Sequence, residues 1–200
     1  MGDHNAIADA GETLVELLRD RMTRFQDKTV IQLASPVDED LQSKVRLTVF
    51  LFEVTAATPM DTPQTNGHSP GPLRVDLTYL LTAHKGSEEQ GSSTTTTNKT
   101  KNRHMLLGRA MQILRDNAIV EGPDLRGSLA EGDETLQISL LPEETNTAVN
   151  IWNTFQDEPY ETSVAYLVSP VEIESRHEES SERVEQIRVD EHVPGNDTDE

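Results

Sequence analysis

Cysteine does not occur in the 200-residue sequence, and its absence excludes disulfide bonds, thiolate nucleophiles and cysteine-bound zinc. Aromatic residues make up only 4% of the chain and hydrophobic residues 34%, so we expect a large share of loop and tail. No run of 18 apolar residues occurs, and the N-terminal segment lacks the basic and apolar regions of a signal peptide. The sequence therefore predicts no membrane partner, no signal peptide and synthesis in the cytoplasm.

Basic residues are scarce, since 17 lysines and arginines face 36 aspartates and glutamates for a net charge of −19. Binding to a phosphate backbone requires a basic face, so we expect no nucleic-acid partner. The acids are spread over the whole chain, and concentrated salt would screen their mutual repulsion. We therefore predict a halophilic source; the alternative is an ordinary acidic protein with an acidic tail.

Sequence motifs that carry catalysis are also missing, namely G-x-S-x-G, the P-loop, G-x-G-x-x-G and H-E-x-x-H. His84 and His104 flank one loop and could approach each other, but further metal ligands are lacking. A Ser-His-Asp triad is recognised by geometry, so the sequence leaves it open. The pattern favours a protein that is not an enzyme and that needs no cofactor, metal or small-molecule substrate.

Three amphipathic helices are predicted. The central one covers residues 104–117, where apolar residues recur at helical spacing and Gly122-Pro123 follows. A first helix is predicted over residues 7–25, and a third begins at Pro142 and buries Trp152 as a core or interface anchor. The solvent face of the first helix is predicted to consist of four acids: Asp9, Glu12, Glu16 and Asp20.

Five strands are predicted, over residues 30–33, 45–54, 73–82, 135–141 and 161–174. The second becomes apolar on both sides at residues 49–52, which predicts a place in the middle of a sheet. Pro170 is expected to mark an edge or a bulge of the last strand.

Polar segments separate these elements. Residues 56–72 are rich in proline and residues 85–103 in threonine, and both are predicted to be flexible loops. We assign residues 1–174 to one domain and residues 175–200, with nine acids and three arginines, to an acidic arm or tail. Within it, Val184, Ile187 and Val189 alternate with charged residues, so the segment is either a disordered tail or an arm that adds a strand to a partner.

Arginines in so acidic a protein are candidates for contacts. Arg109, Arg115 and Arg126 could pair with acids across a subunit seam or within the fold. The candidate partner-binding residues are Val184, Ile187, Val189, Arg109, Arg126 and Trp152.

Six segments, in this order, resemble a known family. They read LVELLRDRM, VRLTVFLFEV, PLRVDLTYLLTAH, HMLLGRAMQILRDNAIVEGPDLRG, LQISLLPEETNTAVNIWNTF and PYETSVAYLVSP. The series is similar to the tail-terminator or cap proteins of extracellular contractile injection systems, the phage-tail-like particles that include the Photorhabdus virulence cassettes and the antifeeding prophage. The resemblance covers roughly residues 6–173.

The resemblance implies a structural role. It implies an α/β (α+β) fold, in which a mixed, largely antiparallel β-sheet is flanked by helices as in phage tail terminators. It also implies a homo-hexamer that closes the distal end of a particle, with an inner tube protein and a sheath protein as partners. The particle would be assembled in the cytoplasm and could be released outside the cell. Alternatives are the tail terminator of a contractile-tailed archaeal or bacterial virus and a small acidic enzyme.

Overall fold

The computed structural model describes residues 2–22, 30–38, 45–57, 72–85, 96–141, 147–155 and 158–174. These residues form three α-helices, six β-strands and two short 3-10 helices. The helices are α1 (Ala6–Arg21), α2 (Thr96–Asp116) and α3 (Thr147–Trp152). The strands are β1 (Ile31–Leu33), β2 (Leu47–Ala56), β3 (Leu73–Ala83), β4 (Ile119–Glu121), β5 (Thr135–Leu140) and β6 (Ser163–Ile173). The 3-10 helices, Gly122–Asp124 and Gly127–Glu131, follow β4.

The six strands form one sheet in the order β1-β2-β3-β6-β5-β4. β1 runs parallel to β2, and the other neighbours are antiparallel. The predicted fold class, a mixed and largely antiparallel sheet flanked by helices, is confirmed.

The sheet is centred on β3, and the prediction that residues 49–52 of β2 are buried on both faces is wrong for residues 50–52. Every residue of β3 from Leu77 to Ala83 is buried, because β2 and β6 flank the strand and helices cover it. β2 is paired with β1 only over Leu47–Val49, which are buried, so Phe50 to Phe52 are half-buried and Glu53 to Ala56 are exposed.

Pro170 lies at a bulge in β6, which is one of the two predicted outcomes. The register with β3 shifts from Val75 opposite Val171 to Leu77 opposite Val168, so β6 contains one extra residue there. A bulge accommodates proline inside a sheet because one residue is left out of the ladder of hydrogen bonds.

Helix α2 begins at Thr96 rather than at His104, so the predicted loop over residues 85–103 is wrong for its second half. The helical turns around Leu106 and Ala110 are held by packing against the core. Extending the helix from them toward the N-terminus adds one hydrogen bond for each further residue, so the helix continues to Thr96. An ion pair between Arg103 and Glu161 also holds this end of the helix to the sheet. Residues 58–71 of the other predicted loop lie outside the described residues.

The main core lies between the sheet and helices α1 and α2. Its largest fully buried side chains include Leu14 and Leu18 of α1, Leu114 of α2, and Tyr79 of β3. In a second cluster, Ala148 and Trp152 of α3 pack against Leu80 of β3. Of the predicted first helix, residues 6–21 are helical, and residues 23–25 lie outside the described part of the chain. Among the described residues, no helix is long and apolar enough to cross a membrane.

Candidate assembly surfaces

The outer edge of β2 is open beyond the point where β1 ends. The N–H of Leu47 donates to the carbonyl of Val30 at 3.1 Å, and the carbonyl of Val49 accepts from the N–H of Ala34 at 3.1 Å. Backbone groups of alternate residues in a strand point to the same side. The N–H and C=O of Leu51 therefore also point away from β3.

A bulge at Phe52 shifts this alternation by one residue. Beyond it, the N–H of Ala57 donates to the carbonyl of Arg74 at 3.0 Å, on the β3 side. Val54 and Ala56 consequently direct their backbone groups outward. Within the described ranges, no strand pairs with the outer side of this stretch of β2, which makes it a place where a partner strand could be added.

An apolar groove of about 390 Å³ adjoins this edge. It lies between the start of α1 and the middle of β2, and Tyr79 lies at its base. Burial raises the pKa of Tyr79, whose hydroxyl donates to the carbonyl of Ile7 at 3.4 Å, so this phenol stays neutral and engaged. The lining residues are His4, Ile7, Ala8, Leu33, Ala34, Val49, Phe50, Leu51 and Tyr79. The groove therefore offers apolar contact area rather than reactive groups.

The opposite edge of the sheet is the short strand β4. It pairs with β5 on one side, and its first residue, Ile119, is 62% exposed. The turn that follows β4 is tied to α1, because Asp9 accepts hydrogen bonds from the N–H of Ser128 at 2.8 Å and from its hydroxyl at 2.7 Å. The N–H of Arg126 donates to Thr13 Oγ1 at 3.0 Å. These bonds give the β4 end of the fold a fixed shape.

Asp9 is thus buried, and its predicted place on the solvent face of the first helix is wrong. Helical spacing identified the acidic face correctly for Glu12 and Asp20, which are exposed. The spacing of residues within one helix does not predict contacts with a loop that lies more than a hundred residues later in the chain. The sequence did contain one indication of this contact, namely the glycine that precedes Ser128. Gly127 adopts a positive φ of +57°, on which the close approach to α1 depends.

Trp152 is a core anchor rather than a partner-binding residue. Its side chain is 5% exposed, and its indole N–H donates to Ser163 Oγ at 3.0 Å. The ring makes edge-on contacts with Phe155 at 5.5 Å and Tyr160 at 5.7 Å between centroids. Of the two predicted roles, core and interface, the structure assigns the first.

The two candidate arginines differ. Arg126 is used within the fold, because its guanidinium donates to the carbonyls of Pro123 at 2.9 Å and Leu125 at 3.1 Å and lies 3.4 Å from the carboxylate of Asp20. Arg109 is exposed and donates to Gln112 Oε1 at 2.7 Å. Both arginines remain candidate contact residues, and Arg109 is the less constrained of the two. The other three candidates, Val184, Ile187 and Val189, lie outside the described residues.

One pair of side chains has the geometry of a nucleophile and a base. His84 Nε2 lies 2.9 Å from Thr48 Oγ1. Burial lowers the pKa of His84; the negative charge of Glu161 opposes this shift, and the positive charge of Arg103 adds to it. Thr48, however, has no exposed surface, so no substrate can reach its hydroxyl. In the described part of the chain, no group of three or more histidine or acidic side chains could hold a metal ion. The arrangement stabilises the fold.

As a class, the fold is an α+β domain built on one mixed sheet, which presents an open strand edge and an apolar groove. The Pvc16 N-terminal domain family matches residues 9–186, and the chain belongs to this family. No curated protein matches the chain.

Two solved structures resemble it. The PVC sheath/tube terminator of an extracellular contractile injection system, in its extended state, has a TM-score of 0.60 and 16% identity over 98% of this chain and 65% of that chain. The anti-feeding prophage cap, its tube terminating cap, has a TM-score of 0.55 and 17% identity over 92% of this chain and 60% of that chain. This chain thus spans less than two thirds of the length of either protein.

The resemblance to the terminators of contractile injection systems, inferred from the order of six sequence segments, is confirmed. The two solved structures are a sheath/tube terminator and a tube terminating cap, in agreement with the prediction of a structural role.

Proposed function

We propose that the protein is the structural tail terminator of a contractile injection system, in which it forms a hexameric ring that closes the distal end of the inner tube and the sheath. The observation that carries this proposal is the fold, which is shared over 98% of the chain with a sheath/tube terminator. Family membership over residues 9–186 supports the same role. The partners in this proposal are an inner tube protein, a sheath protein and five further copies of the chain.

The shape of the sheet suits such a role. A ring subunit must contact a neighbour on each of two sides, and each contact uses a different patch of its surface. The open edge of β2 and the edge strand β4 lie at opposite sides of the same sheet. The groove beside β2 supplies apolar area, so a partner strand added there would gain side-chain contacts as well as backbone hydrogen bonds.

Residues 1–174 act as the terminator domain in this proposal, and residues 175–200 act as an arm. The arm pairs as an added strand with a sheath subunit or an adjacent cap subunit, through Val184, Ile187 and Val189. Its starting point is fixed, because the N–H of Glu174 donates to the carbonyl of Gly2 at 2.9 Å at the end of β6. The protein then works as part of a phage-tail-like particle after assembly in the cytoplasm.

Electron microscopy of the purified full chain tests the ring. The expected result is a population of six-fold rings, and a lone compact monomer at all concentrations contradicts the proposal. In a strain that produces the particle, loss of the gene is expected to give tubes and sheaths without a closed distal end. Particles with normal ends and lengths in that strain would contradict the role as a terminator.

The arm is tested separately. The chain carrying Val184→Asp and Ile187→Asp is expected to lose capping of sheathed tubes if the arm pairs with the sheath, and to lose ring cohesion if the arm pairs with an adjacent cap subunit. The matched control carries Glu185→Gln and Asp190→Asn, which change the same segment without removing its apolar residues. Normal rings together with normal capping by the first variant would rule out strand pairing by the arm.

A further inference from the structure

Helix α2 has a face that points away from the core. Its residues recur at intervals of three and four, and all are exposed. They are Lys101, Met105, Gly108, Gln112 and Arg115, and we call this set the outer stripe of α2. The opposite face buries Leu107, Ala110 and Leu114. The outer stripe is therefore not needed to hold the helix on the sheet.

The outer stripe is basic in a strongly acidic protein. Arg109 lies beside it, and among the described residues no carboxylate comes within ion-pair distance of Lys101, Arg109 or Arg115. Other arginines of the fold behave differently, since Arg103 pairs with Glu161 and Arg74 with Glu172. The net charge of the chain is −19, and within the described ranges the exposed cations that lack an acid partner concentrate on this helix.

Two residues of the outer stripe are poorly suited to a face in water. Gly108 lies in the interior of a 21-residue helix, where glycine destabilises, and a Cβ at this position would meet no atom within 4 Å. The fold itself thus has no need of glycine there. Met105, one turn earlier, is 60% exposed and apolar. A bare helix backbone flanked by an apolar side chain is what a closely packed partner requires.

From these features we infer that the outer stripe of α2 is a contact surface for a second copy of this chain. The inference rests on the proposed ring and names the surface at which its subunits meet. Charge selects the occupant, because every copy carries an excess of 19 negative charges. Glu121, Glu131 and Asp133 are exposed examples that have no ion pair among the described residues. Opposite charges across the seam orient the copies, and the surface at Gly108 and Met105 packs closely.

The test compares subunit association of purified full-length variants by sedimentation velocity over a range of concentrations. Arg109→Gln with Arg115→Gln is expected to raise the concentration needed for half-maximal assembly by about tenfold or more. Its control, Gln137→Glu with Ser139→Glu, changes the net charge by the same amount at exposed positions of β5 and is expected to assemble normally.

Gly108→Leu is expected to stop assembly while the circular dichroism of the chain stays unchanged, because the space above Gly108 is open within one copy. Glu12→Leu, which places the same side chain on the exposed face of α1, is the matched control and is expected to assemble.

Three results overturn the inference. Both α2 variants could assemble as well as the unaltered chain, or the α2 variants and their controls could fail equally. Rings could also form normally and fail only to bind tube or sheath, which would assign the outer stripe of α2 to that partner. In each case the unaltered chain still forms rings, so the proposed function survives. If the unaltered chain forms no rings and caps no particle, both proposals fail.

Discussion

The carboxylate of Asp9, near the start of α1, binds both the backbone N–H and the hydroxyl of Ser128, 119 residues later in the chain. This pair joins α1 to the turn after β4 and so fixes one edge of the sheet relative to its helical cover. Asp9 is buried and Ser128 is half-buried, so water can replace the carboxylate only in part.

Asp9→Ala is therefore expected to lower the free energy of unfolding by about 1.5–3 kcal/mol, since two hydrogen bonds to a charged group are lost from a partly buried site. Chemical denaturation followed by circular dichroism measures the change. Glu12→Ala, on the exposed side of the same helix, is the control and is expected to shift stability by less than about 0.5 kcal/mol. Equal effects of the two changes would show that the Asp9 bonds contribute nothing.

Two glycines of the turn after β4 form a matched pair for a second prediction. Gly122 and Gly127 both have a φ of +57°, but a Cβ on Gly127 would overlap the carboxylate of Asp9, whereas one on Gly122 would meet no atom within 4 Å. Gly122→Ala is expected to cost about 1–2 kcal/mol from backbone strain alone. Gly127→Ala carries the same strain and also displaces Asp9, so its loss of stability must be larger. A smaller loss at Gly127, measured by thermal or urea unfolding, contradicts the geometry.

The type of most elements could be predicted from the sequence because it depends on local periodicity, although the short strand β4 was missed. The helical spacing in α1 and the alternation in β6 are properties of neighbouring residues. What failed depends on contacts between distant segments. Asp9 was assigned to solvent because Ser128 could not be placed beside it, and the start of α2 at Thr96 depends partly on Glu161, which holds Arg103.

Sheet order escaped prediction for the same reason. Apolar residues on both sides of β2 suggested a central strand, yet β1 covers only its first three residues and the true centre is β3. Apolar residues in a strand can be covered by the same chain or, in an assembly, by another subunit. The apolar residues Phe50 and Leu51 at the open edge of β2 are thus consistent with a partner that covers them.

A pH prediction follows from His84. Burial lowers the pKa of His84 in the folded protein, so the unfolded chain binds a proton more readily than the folded one. The stability contributed by neutral His84 is therefore present above the ordinary histidine pKa of about 6.5 and is lost as the pH falls below it. His84→Gln is expected to unfold with a weaker pH dependence between about pH 7 and pH 5 than the unaltered chain. The exposed His104→Gln serves as the control, and an identical pH profile for all three proteins would contradict the assignment.

The single tryptophan allows a test of how α3 is held. Trp152→Phe removes the hydrogen bond to Ser163, whose hydroxyl also contacts Thr82 at 2.8 Å, and is expected to cost about 1–3 kcal/mol. Tyr160→Phe, at a ring that is 53% exposed, is expected to change stability by less than about 0.5 kcal/mol. In the unaltered chain, the Trp152 emission should shift to longer wavelength on unfolding together with the loss of secondary structure. An early shift, before the sheet unfolds, would mean that α3 detaches independently.

The net charge of −19 leads to the prediction of a halophilic source and to a dependence of stability on salt. Many exposed acids, such as Glu53, Glu131 and Asp133, have no cation nearby in the described residues, so their repulsion is felt most at low ionic strength. At about 1 M salt the Debye length falls to about 3 Å, which screens nearly all of it. The midpoint of thermal unfolding is therefore expected to be higher in molar KCl than in low salt. The same titration in choline chloride is expected to give a similar rise, because screening depends on ionic strength. Equal midpoints in low and molar KCl would contradict the halophilic assignment.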